Sequence, residues 1–499
     1  MTEQREGGTE TLSRSTRYDV LGNTAYVTDE RSYVTAYGYD ALSRKTSVKN
    51  ALNQTSETGY DADGNVIRET DWLGNSYTYQ YDMLDRLIVK KDPSRQAIET
   101  LTYTDTNCQS TSKDALGNTT TFAYDALGRL KTTADAEGYV NGQGYDASGN
   151  VASRTDGNGK TTYFEYDAQN RLKKVTDAKG GVTQYAYDLA GNMLTQTDAR
   201  GSATAYTYNS LNLPESMAGP GGLAEHYLYT PDGKLSEKTG KNGTITSYSY
   251  DIHGRTLTET TGGAATVYTY DNSGNQLTVT DANGAITRAY DALSRVISKT
   301  ATGFSAATYG YDITSGLSQG YVAETSTIDG RVTKKAYDKN NRLSQVIEPD
   351  GAVTGYQYYA NGSLQAQTMP GSVTANYTYY ANNRLHTLAN KRGATILDSY
   401  QYAYDGAGNI TAKQDAKGLT TYTYTALSQA ETVAEPGGKV TQYTYDASGN
   451  RESEAVTESG ATKTTIYTVD AQNRLTKTEE TGAGYTLTNN YYYDLAGTS

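Results

Sequence analysis

Across 499 residues the chain carries 44 Lys plus Arg against 56 Asp plus Glu, a thinly spread net charge of −12 that offers no basic face to nucleic acid or anionic lipid. Only 36% of residues are hydrophobic, yet 48 are tyrosine, beside three phenylalanines and the single tryptophan Trp72; this excludes a thick oily core, and the aromatic content excludes disorder. One cysteine, Cys108, excludes a disulfide framework and a thiolate metal cluster, and is expected to be a small buried hydrophobe.

Residues 1–17 read as a short lead-in. Its start, Met1-Thr2-Glu3-Gln4-Arg5-Glu6-Gly7-Gly8, lacks the apolar core of a signal peptide, and no stretch of the chain reaches 18 apolar residues. From Tyr18-Asp19 onward a tyrosine-aspartate pair recurs about every 21 residues. Tyr39-Asp40, Tyr60-Asp61 and Tyr81-Asp82 keep strict time, as do Tyr124-Asp125, Tyr145-Asp146, Tyr166-Asp167 and Tyr187-Asp188. Tyr103-Thr104, Tyr208-Asn209 and Tyr229-Thr230 are weaker copies, and Tyr337-Asp338, Tyr404-Asp405 and Tyr445-Asp446 follow stretched spacings. Residues 18–499 therefore read as one continuous region of about 23 repeats ending in mid-repeat, because a fixed period of this size marks units that must stack on their neighbours to bury a face.

Within one repeat, the segment before the pair alternates with a period of two and is rich in Thr and aromatics, which predicts a strand. Tyr185 with Tyr187, Tyr206 with Tyr208 and Tyr443 with Tyr445 each share one strand face. A turn follows, as in Asp125-Ala126-Leu127-Gly128-Arg129, Asp146-Ala147-Ser148-Gly149-Asn150, Asp167-Ala168-Gln169-Asn170-Arg171 and Asp188-Leu189-Ala190-Gly191-Asn192. Its aspartate can accept the N–H two residues on, and its Gly or Asn supplies the positive φ of a reversal. A second strand such as 192–197 leads to a second turn, Asp198-Ala199-Arg200-Gly201, with matching turns at Asp177, Asp281 and Asp415. The fold class predicted is all-β, tandem hairpins in a long spiralling antiparallel sheet, with tyrosine rings stacked ring beside ring across strands.

The tandem Tyr124-to-Leu130, Tyr166-to-Leu172 and Tyr290-to-Arg295 segments, with the Gly-Asn variants between them, resemble the RHS, or YD-repeat, family over about 480 residues. That resemblance implies bacterial polymorphic toxins, shell subunits of insecticidal toxin complexes, wall-associated toxins and teneurins, whose hairpins close into a hollow shell around a toxic C-terminal domain. It implies a secreted or cell-surface setting. The family's shells commonly finish in a closing segment rich in Asp-Pro-x-Gly-type residues, sometimes self-cleaving. Here Asp92-Pro93 is the sole Asp-Pro step, in an ordinary turn position, and no self-cleavage residue carries over.

About 46 strands at roughly 4.8 Å spacing and six residues' width make a wall whose inner radius, wrapped as a sphere, is about 14 Å, smaller than the roughly 17 Å of a folded 100-residue domain. The expectation is a segment of a shell, with a missing C-terminal toxin domain or a sister shell subunit as partner, and a tendency to self-associate through open sheet edges. A second reading is an adhesion module binding glycans or surface proteins through exposed tyrosine ladders. No enzyme and no cofactor are expected: His226, His253 and His386 sit in different repeats without ligand spacing, Glu479-Glu480 reads as solvated, and the glycines lie in turns between strands instead of before helices.

Overall fold

The computed structural model describes residues 2–4, 11–313 and 321–494. Among them 45 antiparallel strands form one open sheet without a helix, and Thr2–Gln4 pairs separately with Thr11–Ser13. The all-β hairpin reading holds. The last five positions, and Met1 with residues 5–10 of the lead-in, lie outside the described residues.

One repeat shows how the sequence dictates the fold. Thr161–Tyr166 pairs with Leu172–Thr176 in the register Phe164↔Val175 and Tyr166↔Leu172, with a one-residue shift just before the tyrosine. Leu172–Thr176 then pairs with Val182–Tyr187 through Val175↔Thr183. Alternation sorts the faces: Thr183, Tyr185 and Tyr187 are half-buried, while Gln184 and Ala186 are exposed. The exposed face is tied by cross-strand hydroxyl pairs, Thr269–Thr278 and Thr378–Thr387 at 2.7 Å each, and by Lys174–Glu165 at 2.8 Å.

Both turns of the repeat share one construction. In the first, the Asn170 N–H donates to the Asp167 carbonyl (3.0 Å) and the Asp167 N–H to the Arg171 carbonyl (2.9 Å), with Asn170 at φ +60°. This is a turn followed by a left-handed residue, which gives hairpins their right-handed twist. Gly149 takes the same place at φ +90°. Beyond the first turn the ladder also takes a one-residue shift beside the pair tyrosine, as at Tyr166 and Tyr187, whereas the second turn between them keeps a regular register.

The strands gather into two compact units, each made of two stretches far apart in sequence. One comprises Met1–Thr119 with Tyr248–Ala375, the other Thr120–Ser247 with Asn376–Ser499. A single sheet leaves little interior: among the described residues the buried apolar side chains are Leu101, Ala336 and Ala375, whereas Asn50, Asn75, Asp92, Thr441, Thr465 and Thr478 are buried polar ones. Cys108 is accordingly half-buried rather than buried. It occupies the fifth position of a turn, where Arg or Asn stands in other repeats, and no thick core exists to receive it.

Candidate functional site

The repeating chemistry is concentrated at the first turn. Asp167 Oδ1 accepts the N–H groups of Gln169 and Arg171, both at 2.9 Å, while Oδ2 accepts Arg171 Nε at 2.7 Å. The same guanidinium reaches into the next repeat, where Nη1 donates to the Asp188 carbonyl (2.8 Å) and the group lies 4.7 Å from the centre of the Tyr187 ring. The Tyr187 hydroxyl reaches back to the Leu172 carbonyl at 2.7 Å. Aspartate therefore builds its own turn, and the tyrosine and arginine of consecutive repeats staple the turns together.

The staple recurs along the chain. Arg44 lies over Tyr60, Arg86 over Tyr103, Arg129 over Tyr145, Arg295 over Tyr311 and Arg474 over Tyr493. Where asparagine replaces arginine, the bond passes along the turns instead: Asn150 Nδ2 donates to Asp146 Oδ2 (3.0 Å) and to Asn170 Oδ1 of the next turn (2.8 Å). Asn192 does the same with Asp188 and Asn212. The bond from Arg129 holds the Asp125 carboxyl below the usual carboxylate range, Arg86 does so for Asp82, and the Arg44 N–H leads the same effect at Asp40. Burial pushes the Tyr187 hydroxyl up.

This corrects the expectation of ring beside ring. The recurring partner of the tyrosine ring is a cation from the neighbouring repeat; ring pairs such as Tyr380 with His386 (4.5 Å) and Tyr380 with Tyr404 (6.1 Å) occur together at one turn. Apart from the exposed Tyr18, the pair tyrosines are half-buried, with hydroxyls engaged by main-chain carbonyls at Tyr60, Tyr81, Tyr145 and Tyr166 as at Tyr187. Tyr187→Phe removes that one bond at a cost of about 1 kcal/mol, so amides of Leu172–Thr176 are expected to exchange roughly fivefold faster in hydrogen-exchange mass spectrometry, with distant repeats unchanged.

Within each unit, the second turns of one stretch meet the first turns of the other. In the first unit Arg31 is the pivot: its side chain is 13% exposed and donates to Ser273 Oγ (3.2 Å), the Asp291 carbonyl (2.9 Å) and Ser294 Oγ (2.9 Å), with Asp271 at 3.5 Å. Asn340 and Asn361 donate to Asp92 Oδ2 (2.9 Å) and Asp114 Oδ2 (3.0 Å). Burial acts to raise the Asp114 pKa, but the bonds from Asn361 and Asn118 outweigh it and leave the carboxyl low. Asp92-Pro93 is thus more than an ordinary turn, since Asp92 is buried in this seam.

The second unit repeats the arrangement with other side chains. Asn382 donates to Asp135 Oδ2 (2.8 Å), Asn158 to Asp405 Oδ2 (2.9 Å), Arg200 to the Asp470 carbonyl (3.1 Å) and Gln472 to the Pro220 carbonyl (2.7 Å). Gly157 and Gly406 face each other so closely that a Cβ on either would strike the other's carbonyl.

A family model described as RHS Repeat matches residues 60–97, 107–140, 145–182, 166–203, 187–224, 229–266 and 270–303. These segments are RHS repeats. Two solved structures share their fold. The TcdB2-TccC3-TEV structure matches with TM-score 0.54 and 15% identity over 98% of this chain and 32% of that one. The TcdB2-TccC3 structure matches at 0.53 and 15%, over 95% and 33%. The chain thus spans about a third of their length, and at this identity the likeness is one of fold. A search of curated sequences finds no match.

Of the repeat-defining residues named from sequence, Tyr60, Tyr145, Tyr187, Arg129 and Arg171 take part in this staple, and Asp40, Asp82, Asp125 and Asp167 head its turns. Glu479 and Glu480 are paired, not merely solvated: Glu479 bonds Lys477 (2.5 Å), and Glu480 accepts Lys463 (3.0 Å) and the Tyr485 hydroxyl (2.8 Å). A cavity of about 520 Å³ in the second unit is lined by Thr132, Gln143, Arg154, Asp156, Lys160 and Leu427. Among the described residues no helix is long and apolar enough to cross a membrane.

Proposed function

We propose that this RHS chain is a non-enzymatic wall segment that encloses, and helps deliver, a toxin domain carried outside these residues, on the same polypeptide or by a sister RHS subunit. Its action is mechanical: the wall keeps cargo from proteases and from the producing cell until release, in a secreted or cell-surface setting. The observation that carries this reading is that nearly the whole chain fits the fold of the TcdB2-TccC3 structures while spanning about a third of their length. The chemistry of the repeat supports it. Turn carboxylates, arginines and pair-tyrosine hydroxyls are bonded to neighbouring turns and strands, which suits a wall and leaves few groups for catalysis.

The test is protease protection of a small folded domain fused after the full chain. Survival of the domain under conditions that digest it when free supports enclosure or shielding by the wall. Equal digestion with and without the repeats sinks the reading.

A further inference from the structure

The two turns of the repeat have different fates in the two stretches of each unit. In the stretch beginning near Ser15, second turns are covered by the seam, but first turns face solvent with large apolar side chains. Val20 is 102% exposed, Leu21 65%, Leu42 69%, Met83 98% and Leu84 68%. These belong to three of the first four first turns on one margin of the sheet, the turn Asp61–Asn65 between them carrying Ala62 and Asp63 instead, and the staple does not use them. The contrast is with Leu293, which holds the same turn position as Leu42 but lies in the seam and is half-buried. Large apolar side chains gathered in this number on one margin point to an interaction site.

The covered first turns indicate what fits there, namely a row of second turns. The opposite margin of the same unit presents one. Glu348–Ala352 keeps the five-residue form of the docking turns, with the Glu348 N–H on the Ala352 carbonyl (2.8 Å) and the Gly351 N–H on the Glu348 carbonyl (2.9 Å). It is exposed, and the neighbouring second turns carry Ile328 at 45% and Phe304 at 77% exposure. One margin offers leucines on first turns, and the other offers Phe304, Ile328 and an acid-headed second turn.

We propose that the first-turn row around Leu21, Leu42 and Leu84 is a docking surface for the second-turn row around Phe304, Ile328 and Glu348 of a second copy of this chain, pairing first turns with second turns as each unit does within itself but through apolar side chains where the seam uses polar bonds. Unlike surfaces meeting in this way form a heterologous contact, which generates open-ended association instead of a closed two-fold dimer. It uses turn margins, not the unpaired backbone of a terminal strand, and it is independent of what the wall encloses.

Sedimentation of the full chain over a wide concentration range tests this with two variants. Leu42→Asp with Leu84→Asp disables one margin, and Phe304→Asp the other; all three positions are exposed, so circular dichroism should match the parent. The parent is expected to form progressively larger species. Each variant alone should associate about a hundredfold more weakly, two buried leucines or one phenylalanine accounting for roughly that factor. An equimolar mixture of the two variants should recover a species limited to two chains. A parent that stays monomeric overturns the proposal. So do variants that associate as the parent does, which would point to a strand edge such as Tyr485–Asn490.

Discussion

Replacing Gly406 with valine is expected to open the turn seam of the second unit while leaving the hairpins on either side intact. Gly406 and Gly157 meet backbone to backbone, and a side chain on either collides with a carbonyl, which is not a flexible tip that can swing aside. Overpacking of this kind costs about 1–3 kcal/mol or more. The neighbouring bonds from Asn158 to Asp405 and from Ala407 N–H to Asn158 depend on the same approach, so they should be lost together. Hydrogen exchange should rise at the turns 156–160 and 405–409 but not along their strands. Ala126→Val, the corresponding position in a solvent-facing turn, is the control. If Gly406→Val leaves exchange at both turns unchanged, the seam does not exist in solution.

Acid should weaken the whole array at once. Asp40, Asp82, Asp125 and Asp167 all sit below the ordinary carboxylate value of 3.8 because they accept N–H and guanidinium bonds in the folded turn. Depressed folded values bind protons less readily than the unfolded chain does. Their stabilising contribution is thus complete above the unfolded value and disappears as pH falls through the lower folded values. Unfolding midpoints should be flat from neutrality down to about pH 5 and drop steeply below about pH 4. Turns headed by asparagine are the internal contrast. Asn209 Oδ1 accepts the same two N–H groups, from Leu211 (2.9 Å) and Leu213 (3.0 Å), without a titrating proton. Equal urea midpoints at pH 3 and pH 6 would contradict the assignment of these carboxylates as the turns' organising groups.

The hairpins were legible because their causes are local. Asp167, Asn170 and Arg171 lie within five positions, and the alternation of Val182 to Tyr187 reports its faces directly. The staple was half legible. The aspartate's backbone bonds follow from turn chemistry, but the guanidinium between Asp167 and Tyr187 depends on how the next hairpin stacks. The seam was hidden, because its partners lie about 250 residues apart and no local rule pairs them. Yet the sequence departs from its own pattern there. Asp156-Gly157 and Asp405-Gly406 replace the usual Asp-Ala, and Tyr359-Ala360-Asn361 and Tyr380-Ala381-Asn382 replace the heading aspartate while placing the reaching asparagine third. Cys108 was misplaced by a rule for domains with a core.

The separation of partners also sets an order of events. Every ladder joins neighbours about ten residues apart, whereas seam bonds join positions 242 to 273 apart, as between Arg31 and Ser273 or Arg200 and Asn473. As the chain emerges, hairpin after hairpin can form on the last one without waiting for anything downstream. The second turns that head toward the seam remain uncovered until about half the chain has followed. Synthesis therefore passes through a long period in which the sheet is built but its margins are unlocked, and closure of the seam is the step that makes the structure more than a string of independent hairpins.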